Sequence, residues 1–99
     1  MNFKCETKNE KPAILALVGR LDSSAAPEFE AKIEALLLTE SSIKLDLKNL
    51  EYISSAGLRV ILKAQKSLES KDGLRLKNVS ESVKEVFDIT GFSDFLTIE

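Results

Sequence analysis

Residues 45–65, LDLKNLEYISSAGLRVILKAQ, decide the fold of this chain. The first part of the stretch alternates apolar and charged residues, which is typical of a strand. The second part carries apolar residues at the spacing of an amphipathic helix. Between them stand two adjacent serines, Ser54 and Ser55, closely followed by Gly57. A strand that turns directly into a helix predicts that a serine hydroxyl lies at the positive end of the helix dipole.

Strand and helix patterns alternate along the rest of the chain. The run at residues 13–18 is continuously apolar, so we expect a strand that is buried on both faces. The predicted elements, in chain order, are a strand at 3–7, a turn at 8–12, a strand at 13–18 ending at Gly19, a helix at 25–38, a strand at 43–47, a helix at 56–70, a strand at 74–79, a helix from the cap residue Ser80 to Gly91, and an apolar tail packed onto the core through Phe92, Phe95, Leu96 and Ile98.

This order of elements predicts an α/β fold with a mixed sheet. Strands that alternate with helices form right-handed βαβ crossovers and a largely parallel sheet. The two N-terminal strands follow each other without a helix, so we expect them to pair antiparallel. Helices are expected to pack on the sheet, and residues 1–99 are expected to form a single domain.

Composition narrows the classes of function. The net charge is -2 and the pI is about 5.3, so the chain lacks the basic footprint of a nucleic-acid binder. Its apolar runs are too short to cross a bilayer, and its single cysteine, Cys5, suggests a reducing cytoplasm. The chain has no histidine, which removes the commonest general base and a common metal ligand. We therefore expect no enzyme activity, no metal and no cofactor.

The serine turn favours a regulatory phosphate over a nucleophile. One of the two serines is expected to cap the helix, and the other could present its hydroxyl to solvent. A phosphate on Ser55 fits the start of the helix, where free N–H groups and the dipole favour an anion. Gly57 would allow the backbone of a partner to approach closely. A nucleophile elbow would need glycine where Ile53 stands and a base that could take the serine proton, so a hydrolase is disfavoured.

Three passages resemble the STAS domain family, specifically its single-domain anti-sigma factor antagonists. Residues 19–22, GRLD, look like the family's G-x-L-D. Residues 43–47, IKLDL, followed by Leu50, Tyr52 and Ile53, look like its central strand and the exit from it. Residues 54–62, SSAGLRVIL, look like its phosphoacceptor turn and helix. The resemblance covers essentially the whole chain and implies a STAS-type mixed sheet.

The resemblance implies a protein-binding module switched by phosphorylation of Ser55. The unphosphorylated form would bind an anti-sigma factor with serine kinase activity, and so regulate transcription. Phosphorylation would release the kinase, and a PP2C-type phosphatase would reset the switch. The chain departs from the family pattern at Ser54, where aspartate is common, and at Ala56, where serine or threonine is common. Ser54 is therefore an alternative phosphoacceptor, and a non-phosphorylated scaffold that binds a transporter ATPase or another partner is an alternative function.

The predicted partner-binding surface surrounds this turn. Arg59 lies four residues after Ser55, on the same helix face, and could reach a phosphate there. Lys63 and Lys66 would continue this basic stripe, although all three side chains could simply be solvated. Asp22 is either a helix cap or a partner contact, and a weak homodimer is left open. The residues predicted to bind a partner are Asp22, Ser54, Ala56, Gly57, Leu58 and Arg59.

Overall fold

The chain folds into a sheet with three α-helices, seen in a computed structural model that describes residues 3–8 and 10–99. Met1, Asn2 and Asn9, the last of which belongs to the predicted turn at 8–12, lie outside the described residues. The elements are β1 (Phe3–Lys8), β2 (Ala13–Leu21), α1 (Ala26–Leu37), β3 (Ser42–Ile53), α2 (Ser55–Leu68), β4 (Gly73–Lys77), α3 (Glu81–Thr90), a 3-10 turn (Phe92–Asp94) and β5 (Thr97–Ile98).

The sheet is mixed, as the sequence predicted. Its strand order is β1-β2-β3-β4-β5. Strand β1 pairs antiparallel with β2, whereas the β2–β3, β3–β4 and β4–β5 pairs are parallel. Because parallel strands point the same way, the C-terminal ends of β2 and β3 meet at one edge of the sheet. The GRLD passage forms the end of β2 and runs one residue beyond it, and the serine turn follows the end of β3.

Only one face of the sheet is covered by helices, which corrects the expectation for β2. Leu15 and Leu17 are fully buried, but the alternate residues of β2 are only half-buried. All three helices contribute buried side chains to the same cluster as one face of the strands. The other face carries charged residues beside β2, including Lys44 and Asp46. The continuous apolar run therefore reflects a central position in the sheet rather than helices on both sides.

Strand β2 continues past Gly19, where the sequence predicted its end. Gly19 has a φ of 95°, and the pairing with β3 shifts register between Gly19 and Arg20. Glycine adopts this left-handed backbone without steric cost, so the strand bends at an irregularity instead of stopping. The extension carries Leu21 to the edge of the sheet, directly opposite Ile53.

The helix boundaries follow from their capping residues. Ser54 and Ser80 accept hydrogen bonds from the N–H groups of Gly57 and Val83, each at 3.3 Å, and so cap α2 and α3. Gly91 ends α3 with a φ of 81°. The predicted roles of Ser80 and Gly91 are confirmed, since a serine N-cap and a left-handed glycine C-cap both satisfy free backbone groups at helix ends.

The C-terminal tail contains a strand that the sequence pattern did not reveal. Strand β5 is two residues long and pairs parallel with β4, a length too short to show any alternation. Leu96 is buried, and Phe92 and Ile98 pack against the core, as predicted. Phe95, in contrast, is 62% exposed, so it does not help to pack the tail.

Candidate functional site

Two separate passages of the chain meet at the C-terminal edge of the sheet. The backbone N–H of Ser54 donates a hydrogen bond to the carbonyl oxygen of Leu21 over 2.9 Å. This bond joins the end of β2 to the start of the turn between β3 and α2. Asp22 is thereby held beside the two serines, although 32 positions separate it from Ser54 in the sequence. The structure thus places Asp22 next to the serine turn.

The two serines have different environments. Ser54 is half-buried, and its hydroxyl oxygen caps α2. Ser55 is the first residue of α2, is exposed, and its hydroxyl makes no hydrogen bond within residues 3–8 and 10–99. The hydroxyl of Ser55 is therefore the one open to an incoming enzyme, while modification of Ser54 would have to displace a cap.

Asp22 organises the turn before α1. One of its carboxylate oxygens accepts hydrogen bonds from the Ser24 hydroxyl at 2.7 Å, the Ser24 N–H at 3.1 Å and the Ala25 N–H at 3.0 Å. The bond from the Ser24 hydroxyl is the main reason why the pKa of Asp22 is lowered. The N-cap of α1 is Ala25 and no side chain caps that helix, so Asp22 holds the preceding turn rather than capping α1 as one of the two expectations had it. Its second carboxylate oxygen is not used by these bonds.

Gly57 and Leu58 lie beneath the turn rather than on its surface. A Cβ atom added to Gly57 would lie 2.7 Å from Cγ and 2.8 Å from Cδ2 of Leu21. Leu58 is only 3% exposed. This position corrects the expectation that both residues contact a partner directly, because the core of the chain itself occupies the space beside them. Gly57 allows α2 to pack closely on the ends of β2 and β3.

A groove between α1 and α2 opens beside Ser55. Ala56 and Arg59 line it from α2, together with Pro27 from α1. Ala56 is half-buried and Arg59 is exposed, and Arg59 forms no ion pair with any described residue. Both side chains are accessible from solvent, and their contact with a partner stays a prediction.

The predicted basic stripe is interrupted at Lys63. Its ammonium group contacts the carboxylates of Glu30, at 3.0 Å, and Glu34 on α1. The hydrogen bond to Glu34 is the main reason why the pKa of Lys63 is raised. Lys63 therefore ties α1 to α2, and Arg59 is left as the cation nearest to Ser55 along that face of α2.

In the described part of the chain, the Ser55 hydroxyl has no side chain hydrogen-bonded to it that could act as a base. No three histidine, cysteine, aspartate or glutamate side chains form a metal-binding cluster among these residues. No helix there is long and apolar enough to cross a membrane.

Sequence reasoning missed one feature of this edge. The guanidinium carbon of Arg20 lies 4.4 Å from the centre of the Tyr52 ring. Arg20 and Tyr52 are register partners in the β2–β3 pair, one position before Leu21 and Ile53. The irregularity after Gly19 sets this register, so the contact could not be derived from the sequence pattern.

The fold and the serine turn define a STAS domain: the family model matches residues 5–99, and the chain belongs to this family. The anti-sigma-B factor antagonist of Bacillus subtilis is 32% identical over 99% of the chain and 92% of its own length. The unphosphorylated form of the anti-sigma factor antagonist SpoIIAA is 25% identical with a TM-score of 0.78, covering 98% of this chain and 87% of that one. Its phosphorylated form, from Bacillus, gives 24% identity and a TM-score of 0.73 over 98% and 90%.

Proposed function

We propose that this protein is an anti-sigma factor antagonist whose binding is switched by phosphorylation of Ser55. In this scheme the unphosphorylated chain binds an anti-sigma factor that has serine kinase activity, and thereby frees a sigma factor for transcription. The kinase then phosphorylates Ser55 and is released, and a PP2C-type phosphatase restores the binding form. The chain itself has no catalytic role and uses no cofactor, and residues 1–99 act as one domain in the cytoplasm.

The observation that carries this proposal is that the two serine hydroxyls have different roles in the structure. Ser54 is committed to capping α2, and Ser55 exposes a hydroxyl at the first position of the same helix. The names of the relatives support the class of function, since the Bacillus subtilis protein is an anti-sigma-B factor antagonist. That SpoIIAA is described in unphosphorylated and phosphorylated forms supports a phosphate-operated switch.

The physical chemistry of the turn explains why a phosphate would change binding and not folding. A phosphate on Ser55 adds about 1.5 to 2 negative charges at neutral pH. The free N–H groups and the dipole at the start of α2 favour an anion there by about 0.3–1 kcal/mol. A partner packed over the turn would have to desolvate that charge, and each ~1.4 kcal/mol of cost weakens binding tenfold. The fold thus tolerates the phosphate while the complex does not.

Arg59 is proposed to stabilise the phosphorylated form. It lies one helical turn after Ser55, and helical side chains lean towards the N-terminus of their helix. It is exposed and free of ion pairs with the described residues, whereas Lys63 is held by Glu30 and Glu34. The cation is therefore available to a phosphate on Ser55 without the loss of an existing contact.

The experiment that tests the proposal is phosphorylation by an anti-sigma factor kinase from the same organism. The purified chain, its Ser55→Ala variant and its Ser54→Ala variant are incubated with the kinase, ATP and Mg²⁺, and the phosphate is mapped by peptide mass spectrometry. We expect one phosphate on Ser55 in the wild type and the Ser54→Ala variant, and none in Ser55→Ala. A phosphate on Ser54 would show that Ser54, and not Ser55, is the phosphoacceptor. No phosphate, combined with stable binding of a partner ATPase, would favour the scaffold function.

A further inference from the structure

Arg20 and Tyr52 form a cation–π pair that has no role in the phosphorylation scheme proposed above. The guanidinium carbon of Arg20 lies 4.4 Å from the Tyr52 ring centre, within the range of a cation–π interaction. Tyr52 is 40% exposed and Arg20 is exposed. An arginine side chain normally samples many rotamers at a surface, so stacking on the ring reduces the entropy that a partner must remove on binding.

The pair borders the serine turn on the side away from α2. Side chains alternate along a strand, so Arg20 and Tyr52 point away from the core that their neighbours Leu21 and Ile53 enter. The turn begins directly after these neighbours, where the Ser54 N–H donates to the Leu21 carbonyl. A partner that covers the turn and extends over the edge of the sheet would therefore meet Arg20 and Tyr52.

The charge of Arg20 is not neutralised within the described chain. No carboxylate forms an ion pair with it among residues 3–8 and 10–99. Its charge contributes to the lowered pKa of Asp22, but the hydrogen bond from the Ser24 hydroxyl is the largest cause. One carboxylate oxygen of Asp22 already accepts hydrogen bonds from Ser24 and Ala25. A guanidinium that lies over a ring keeps its N–H groups free in its own plane, where they can bind a carboxylate through two hydrogen bonds.

We propose that Arg20, held on Tyr52, binds an acidic side chain of the anti-sigma factor and selects partners that carry one at this contact. The inference rests on the proposed function, because it extends the same binding surface beyond the serine turn. A carboxylate fits better than the Ser55 phosphate, since Ser55 begins α2 on the helix side of the sheet and Arg59 is the first cation along that helix. Arg20 therefore acts in the unphosphorylated complex, and Arg59 acts after phosphotransfer.

The test measures binding of the unphosphorylated protein to the purified anti-sigma factor by surface plasmon resonance at several salt concentrations. We expect Arg20→Gln to weaken binding about tenfold and Arg20→Glu about a hundredfold, because reversal adds repulsion to the lost contact. Tyr52→Phe keeps the ring and should bind with the affinity of the wild type. The affinity of Tyr52→Leu should lie between those of the wild type and Arg20→Gln. The association rate of Arg20→Gln should depend less on salt than that of the wild type.

The matched control is Lys71→Glu, which changes net charge by the same amount as Arg20→Glu. Lys71 is exposed and lies just before β4, at the opposite edge of the sheet, so its reversal should leave binding within about twofold of the wild type. Thermal unfolding of each variant shows whether the fold is intact. Because Arg20 and Tyr52 are at the surface, we expect the unfolding midpoints to change little.

Three results would overturn the inference. Arg20→Glu binding within twofold of the wild type would mean that no partner group contacts Arg20. An equal loss in Lys71→Glu would mean that overall charge, and not this contact, controls association. A change confined to the dephosphorylation rate would assign Arg20 to the phosphate instead. If the wild type is neither bound nor phosphorylated, the proposed function itself fails, and this outcome is distinct from the first three.

Discussion

Replacing Gly57 by alanine tests whether the close packing of α2 on the sheet is what positions the serine turn. The added Cβ would lie 2.7 Å from Cγ and 2.8 Å from Cδ2 of Leu21, and 3.1 Å from Cγ1 of Ile53. Leu21 is fully buried and Ile53 is 3% exposed, so neither side chain can move into solvent. The clash must be relieved by a shift of α2 or by strained rotamers in the core.

The expected cost follows from two opposing effects. Overpacking of a well-packed core costs about 1–3 kcal/mol. Alanine gains at most about 1 kcal/mol over glycine in a helix interior, and less at the third residue of a helix. We therefore expect Gly57→Ala to destabilise the protein by about 0.5–2 kcal/mol, which for a domain of this size lowers the unfolding midpoint by about 4–8 °C per kcal/mol.

A double-mutant cycle with Leu21→Ala isolates the contact, measured by urea unfolding followed by circular dichroism. Leu21→Ala alone should cost about 2–5 kcal/mol, but it also removes the two Leu21 atoms that would lie nearest to the new Cβ. In that background Gly57→Ala should be neutral or stabilising, which gives a coupling energy of about 1–3 kcal/mol. Ser67→Ala, at an exposed position of α2, is the control. A coupling below ~0.5 kcal/mol would refute the packing argument.

Three further predictions concern the turn itself. Ser54→Ala should destabilise the fold by about 1 kcal/mol through loss of the cap, whereas Ser55→Ala should stay within about ±0.5 kcal/mol, both measured by urea unfolding; equal effects would contradict the assigned roles. Because the pKa of Asp22 is lowered in the folded state, its stabilising contribution is present above the unfolded pKa and is lost as the pH falls through the folded value. Asp22→Asn should therefore lose less stability than the wild type between about pH 4 and pH 2, and parallel curves would contradict this. Arg59→Ala should raise the pKa of phosphorylated Ser55 in a ³¹P NMR titration and change its dephosphorylation rate; no change in either would exclude the contact.

The order of the main elements and their types could be predicted from periodicity and capping residues. The alternation at residues 43–47 and the helical spacing after Ser55 identify β3 and α2, because each pattern buries one face of its element. Strand β5 could not be found in this way, since two residues carry no period. The predicted end of β2 was too early, because a glycine in a strand pattern can mark either the end of the strand or an irregularity within it.

For the candidate site, too, one part could be predicted from the sequence and another could not. The place of the serine turn and of Arg59 could be predicted from the sequence, because the strand pattern ends and the helix pattern begins at the two serines. Which of these residues face solvent was decided by tertiary packing: Gly57 and Leu58 are covered by the core, and Lys63 is held by α1. These contacts depend on how α1, α2 and the ends of the strands approach one another.

The sequence by itself thus determined the order of strands and helices and the place of the serine turn, because local periodicity and capping specify each element. The likeness to the STAS family rested on the three motif passages and not on periodicity. Only the tertiary structure decided that Ser54 and Asp22 meet through Leu21, that Arg20 stacks on Tyr52 and that one face of the sheet stays open. Each of these features joins residues on different elements. Their distances depend on strand register and helix packing, which arise from the balance of burial over the whole core and not from any short stretch of the chain.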